Sequence, residues 1–212
     1  MKPTACAFFA VIVMSPHAGA TNFPGGPGFD AITWPMSMRS APARGIDLGD
    51  YRIRFEWTPL RDVMAKMGVG TILHSGDGAE GTEWLCYTRG EPGHMERLWL
   101  LSNSEMDSGT VGAIQAVSLT VQEIPVDCPR LPTQFTTVSL EPEMWLGATT
   151  ADLEKRFGRP SHKQGAWQSY DFQTKVPADG KCDGGYDRSS TLDVRIQDGI
   201  IVQIGAGQGT SC

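Results

Sequence analysis

Two short stretches with the same helix grammar stand at a constant offset of 90 residues, and this constrains the fold more than any other feature. Residues 145–160 read W-L-G-A-T-T-A-D-L-E-K-R-F-G-R-P. Thr149 or Thr150 is placed to cap a helix N-terminus, with Asp152 and Glu154 putting negative charge in the first turn. Lys155 and Arg156 put positive charge in the last turn, and Gly158 and Pro160 stop the helix. Leu153 and Phe157, four apart, form its apolar face. In residues 58–68, T-P-L-R-D-V-M-A-K-M-G, Thr58 reads as the N-cap and Pro59 as the first helical residue. Leu60, Val63, Met64 and Met67 make the apolar face, and Gly68 the terminator. Asp62, Val63, Lys66, Met67 and Gly68 align without a gap to Asp152, Leu153, Arg156, Phe157 and Gly158. A helix of about two turns does not stand alone, so each must dock on nearby structure.

Strand patterns follow each helix. Residues 84–87, W-L-C-Y, keep the W-x-x-Y spacing of residues 167–170, W-Q-S-Y. Residues 98–101 correspond to 192–196, and 111–121 to 200–204. Asp198-Gly199 is a type I′ hairpin signal, which predicts that the last two strands are antiparallel. The apolar run 98–101 predicts a strand buried on both faces, and singles out Trp99 as a residue facing a second layer or a partner. Trp84 and Trp167 are expected between helix and sheet. Residues 50–57 alternate, with Tyr51, Ile53, Phe55 and Trp57 on one side, and read as a half-buried strand. The expected fold class is therefore α+β. It consists of two tandem units, each a short helix or helix pair packed on a three- to four-stranded antiparallel sheet, spanning 46–130 and 131–212.

Residues 1–20 read as a secretory signal peptide. Lys2 precedes an apolar run from 5 to 14, about half of the roughly 20 residues that span a membrane, and Ala18-Gly19-Ala20 offers a small-x-small cleavage site. Residues 21–45 are dense in proline and glycine and are expected to form an arm. The formal net charge of −6 becomes −7 once Lys2 is removed, which argues against nucleic acid or an anionic membrane as partner. No second apolar run reaches membrane length.

Beyond the signal peptide the cysteines are Cys86, Cys128, Cys182 and Cys212, an even count that suggests two disulfides in an oxidising compartment. Spacing alone leaves three connectivities open. Cys86–Cys128 and Cys182–Cys212 are favoured because each pair falls within one expected unit. A zinc site is disfavoured, since there is no C-x-x-C pair and no histidine near these cysteines in sequence.

The residues that could carry chemistry do not assemble into a site. His74, His94 and His162 fall in glycine-rich, loop-like contexts. His74-Ser75-Gly76-Asp77 has triad residue types, but sequence neighbours do not generally converge into a triad. His94 and Glu96 would offer two metal ligands with nothing to complete the set. The acidic loop 179–187 fails the EF-hand pattern at Lys181 and Ser190 and reads as a surface loop. Residues 205–209, G-A-G-Q-G, precede no helix that would bind a phosphate, and read as a flexible tail. No catalytic, cofactor-binding or metal-ligating residue is assigned, and no cofactor is expected.

Leu146-Gly147-Ala148-Thr149-Thr150, Leu153, Phe157-Gly158-Arg159-Pro160, the W-x-x-Y of Trp167 and Tyr170, and the Asp198-Gly199 hairpin resemble the repeat of the BamE (SmpA/OmlA) family. Two such units in tandem, each with a disulfide, also resemble the β-lactamase inhibitory proteins. The resemblance implies helices on antiparallel sheet, an extracytoplasmic location and a tendency to bind other proteins. It transfers no site residue, and the lipid-anchoring cysteine of BamE has no counterpart after the apolar run.

The chain is thus expected to be a periplasmic or secreted, non-enzymatic module that binds another extracytoplasmic protein, in envelope maintenance or inhibition of a secreted enzyme. The alternative is a small periplasmic hydrolase or metal-dependent enzyme with an unrecognised site around His74, His94 or the 179–187 loop. The cysteine assignment has a direct check. Non-reducing peptide mapping should yield one peptide pair joining Cys86 to Cys128 and another joining Cys182 to Cys212, and a Cys86–Cys212 link would break the scheme.

Overall fold

The computed structural model describes residues 38–76, 81–91, 93–103, 109–119, 128–177 and 185–211. Two strands, β1 (Gly45–Leu48) and β2 (Tyr51–Arg54), lead into α1 (Leu60–Met67). Four more follow: β3 (Leu73–Ser75), β4 (Thr82–Glu91), β5 (His94–Asn103) and β6 (Ala113–Leu119). A 3-10 turn (Thr133–Phe135) and β7 (Val138–Leu140) precede α2 (Thr150–Phe157). The last four strands are β8 (His162–Gln164), β9 (Trp167–Val176), β10 (Tyr186–Gln197) and β11 (Ile200–Ser211). Among the described residues no helix is long and apolar enough to cross a membrane.

The expectation of two tandem helix-on-sheet units is corrected by the strand pairing. The described residues are mostly strand, with two eight-residue helices. Eight strands form one antiparallel sheet in the order β3-β4-β5-β6-β11-β10-β9-β8. A separate three-stranded sheet, β2-β1-β7, pairs Ile46 with both Ile53 and Leu140 and so joins the early chain to its middle. The decisive contact is β6 against β11, where 113–117 pair with 203–207. Sequence patterning identifies strands but not which edges meet. Two separate four-stranded sheets would make edges of β6 and β11, each with a row of unpaired N–H and C=O groups.

Pairing registers place apolar side chains in two rows across one face of the large sheet. One row runs Leu85, Leu100, Ile114, Ala206, Leu192, Tyr170, and the next Tyr87, Leu98, Ala116, Ile204, Val194, Gln168. The rows exchange under an approximate two-fold axis through the β6–β11 seam, which swaps Ile114 with Ile204 and Ala116 with Ala206. Both helices and the small sheet cover this face, and together they form one continuous core. Leu60, Val63 and Met67 of α1 are buried there, as are Leu153 and Phe157 of α2, with the Phe157 ring 5.5 Å from that of Tyr170. Ile46, Leu48, Ile53, Val138 and Leu140 complete it from the small sheet.

Local chemistry accounts for the element ends. Thr149 caps α2: its hydroxyl accepts from the Asp152 amide at 3.2 Å, and the Asp152 carboxylate accepts from the Thr149 amide at 3.1 Å. The corresponding cap of α1 is corrected, because Pro59 occupies the cap position and the Thr58 hydroxyl instead accepts from the Arg54 amide at 2.9 Å. Asp198 and Gly199, both at positive φ, turn β10 into β11 as the Asp-Gly signal predicts. Trp57 departs from the expected alternation and is 75% exposed. Glu56 adopts φ +63° and breaks the strand, and its carboxylate accepts from Gln208 at 2.6 Å and Thr210 at 3.0 Å.

Residues 205–209, expected as a tail, lie within β11: all of them pair with β10, and 205–207 also pair with β6. Their glycines recur every second residue, so they share the face opposite the core. At Gly207 a Cβ would lie 3.0 Å from the Ala113 Cβ, so close approach at the seam requires glycine. Because the seam carries the core, Ile114→Ala and Ile204→Ala should each cost about 2–5 kcal/mol in urea unfolding. A neutral Ile204→Ala would contradict a central β11.

Candidate functional site

The face of the large sheet away from the helices has two unlike halves. Side chains alternate along each strand, so Trp84 and Cys86 of β4 and Trp99 and Leu101 of β5 point opposite to the core rows. They pack with Cys128 into a second apolar cluster in which Trp84 and Trp99 are each 1% exposed. Cys86 and Cys128 are disulfide-bonded, with Cα atoms 4.6 Å apart. The Thr88 hydroxyl donates to the Cys128 carbonyl at 3.2 Å, and the Leu131 amide to the Thr88 carbonyl at 2.8 Å. This ties the 128–131 segment to β4. Trp84 therefore does not sit between helix and sheet as expected, because it faces the other way. Trp99, singled out as a possible binding surface, lies inside this cluster, with the Arg97 guanidinium 5.5 Å from its ring centroid.

One row of this face runs Cys86, Trp99, Gln115, Gly205, Asp193, Ser169. The two-fold axis maps this row onto itself, exchanging Cys86 with Ser169, Trp99 with Asp193 and Gln115 with Gly205. Where the first half has an indole and a disulfide, the second has a carboxylate and a hydroxyl. The result is a trough of about 160 Å³ with Gly205 and Gly207 as floor and Trp167, Asp193 and Gln115 among its walls. A Cβ on Gly205 would meet only the Asp193 Cβ, at 3.9 Å, so the absence of a side chain there leaves open space rather than relieving a clash.

Burial holds the Asp193 carboxyl above the ordinary aspartate range, with the negative charge of Asp171 adding to the effect and a hydrogen bond from the Ser169 hydroxyl opposing it. Asp171 is also raised by burial, against hydrogen bonding with Ser161 and the nearby His162. Among the described residues no cation contributes to holding Asp193 ionised. Two buried acceptors on this face, Gln115 Oε1 and Asp171 Oδ2, have no hydrogen-bond donor among the described residues.

The histidines do not converge. His74 lies on β3 opposite Glu83, His94 starts β5 opposite Glu91 at the far end of β4, and His162 lies on β8 at the other edge of the sheet. All three are in strands rather than the expected loops. Glu96, the expected companion of His94, instead accepts from Arg89 at 2.5 Å and from the Trp145 indole at 2.8 Å. Among the described residues no three His, Cys, Asp or Glu side chains are grouped to hold a metal ion. Cys182, Cys212 and most of the 179–187 loop lie outside the described residues; Asp187 pairs with Lys175 at 2.9 Å.

Sequence reasoning missed Asp193 and Gly205. Asp193 sits in L-D-V-R-I, where alternation does signal that it shares a face with Arg195, and the period-two glycines of β11 mark the floor. What links them is the pairing of β10 with β11. The chain matches no protein-family model, no curated protein and no solved structure.

A carboxyl with a raised folded-state pKa binds its proton more tightly folded than unfolded. Its contribution to stability is therefore complete at low pH and lost as pH rises through the folded-state value. Asp193→Asn, which keeps an acceptor for Ser169, should raise Tm at pH 7 and leave it unchanged at pH values where Asp193 is protonated. A lower Tm at pH 7 would show that the ionised carboxylate is stabilising.

Proposed function

We propose that this chain is an exported, non-enzymatic binding module that takes a side chain of another extracytoplasmic protein into the trough over Gly205. The observation that carries this reading is the unlike filling of equivalent positions on the open face. The first half is sealed by Trp84, Trp99 and the Cys86–Cys128 disulfide, while the second half is left open over Gly205 beside Asp193 and Trp167. Burying a carboxyl without a cation is costly to folding and is repaid when a partner completes it.

Size favours a side chain over a small-molecule substrate. Sites for drug-sized ligands enclose roughly 300–1,000 Å³, and the trough offers about 160 Å³. Trp167, partly exposed at its wall, is the kind of residue that anchors protein interfaces. The signal-peptide reading of residues 1–20 and the disulfide support an oxidising, extracytoplasmic setting, periplasmic or secreted. The short motif of residues 146–160 that resembles the BamE family favours a role in envelope maintenance, with inhibition of a secreted enzyme as the other form of such binding. The net charge of −6 weighs against nucleic acid as the partner.

Gly205→Val places a Cβ that meets only the Asp193 Cβ, at 3.9 Å, and puts branched bulk into the trough with a residue suited to strands. Cross-linking in the native compartment should recover a discrete partner with the wild-type chain and lose it with Gly205→Val at equal Tm. Recovery that is the same for both variants, or no partner with either, would overturn this reading.

A further inference from the structure

We infer that the trough receives a cationic side chain, lysine or arginine, of the partner protein, seated over Gly205 with its charge against Asp193 and its stem or guanidinium plane along Trp167. The inference rests on the binding reading above and specifies the chemistry of the occupant.

The polar groups about the trough ask for donors. Gln115 Oε1 is a buried acceptor with no donor among the described residues, and it lines the same trough as Asp193. Asp193 Oδ1 accepts from Ser169, while among the described residues no cation contributes at its carboxylate. Asp171, one strand away on the same face, adds a second negative charge and a second acceptor without a donor, Oδ2. Arg195 lies on this face beside Trp167 but is exposed, and it forms no ion pair with Asp193. An occupant that brings only acceptors, or an anion, would leave these atoms unsatisfied and repel the carboxylates. A lysine ammonium or an arginine guanidinium supplies three or five donors and the missing positive charge.

The sheet already contains the arrangement proposed. In the first half the Arg97 guanidinium lies 5.5 Å from the Trp99 ring centroid, and elsewhere Arg89 lies 5.7 Å from that of Trp145. The two-fold axis that exchanges Trp84 with Trp167 exchanges Arg97 with Thr191, which is short and neutral and also lines the trough. The second half thus keeps an indole at the Trp84 position, but has Asp193 where Trp99 stands and neutral Thr191 where Arg97 stands, so its charge is completed from outside, by a partner.

The probes are Nα-acetyl-arginine amide and Nα-acetyl-lysine amide, with Nα-acetyl-citrulline amide as the neutral isostere of arginine, titrated into the isotope-labelled full chain and followed by NMR. At least one cationic probe should shift the Gly205 amide, the Gln115 side-chain amide and the Trp167 indole together. Citrulline should bind on the order of tenfold more weakly, the scale of a charge-assisted hydrogen bond. Asp193→Asn should weaken the cation to the citrulline level, and Gly205→Val should abolish the shifts. Equal binding of citrulline and arginine, or an Asp193→Asn variant that binds the cations unchanged, would overturn the inference, as would no shift with either cation. The cross-linking comparison separates the two levels. If Gly205→Val loses the partner although neither cationic probe binds, the binding reading stands and the cation is wrong.

Discussion

The pairing of β6 with β11 is the contact on which the rest of the structure depends. Five residues of each strand meet, 113–117 against 203–207, and through them two four-stranded halves become one sheet. The side chains at the seam are graded to allow it. On the core face Ile114 opposes Ala206 and Ala116 opposes Ile204, so a large residue meets a small one at each step. On the other face Gly207 meets Ala113 where a Cβ would be crowded, and Gly205 meets Gln115 where it would not. Close strand approach explains the first glycine. It does not explain the second, and that residue floors the trough.

The seam also separates stability from opportunity on the open face. Toward β4 the sheet is closed by two indoles and a disulfide-bonded segment. Toward β9 the matching positions hold Asp193 and Ser169, with Gly205 in place of Gln115. The two core rows are apolar apart from Gln168, which accepts from Tyr170 at 3.4 Å. One face therefore pays for the fold, and half of the other is free to carry polar groups that burial disfavours.

Much of the local structure was legible in the sequence. The 90-residue offset between residues 62 and 152 is the offset between α1 and α2, and Thr149, Gly68 and Asp198-Gly199 act as caps and turn. The apolar run 98–101 is buried on both faces of β5, as its lack of alternation requires. Three kinds of information were hidden. Edge pairing between segments 90 residues apart leaves no local trace, so one eight-stranded sheet read as two units. The three-residue strands β3, β7 and β8 are too short to show a period, and β11 was obscured by glycines whose propensity disfavours strand. The sense of a side chain depends on register, which is why Trp84 was placed on the helix side and Asp193 passed unnoticed. The site follows from that register, and was legible only as an unexplained alternation in β10 and β11.

The place of β11 in the sheet bears on how the chain is made. It follows every other strand in sequence, yet it sits at the centre, between β6 and β10. Until residues 200–211 have been synthesised, β6 has a partner on one side only and the core rows stop at Ile114 and Ala116. Glu56, held in a left-handed conformation, must likewise wait for Gln208 and Thr210. Contacts across such sequence separation form slowly, and an unpaired central edge is exposed meanwhile. The middle of this sheet is therefore the last of its strands to be made, and the sheet closes only once β11 has been synthesised.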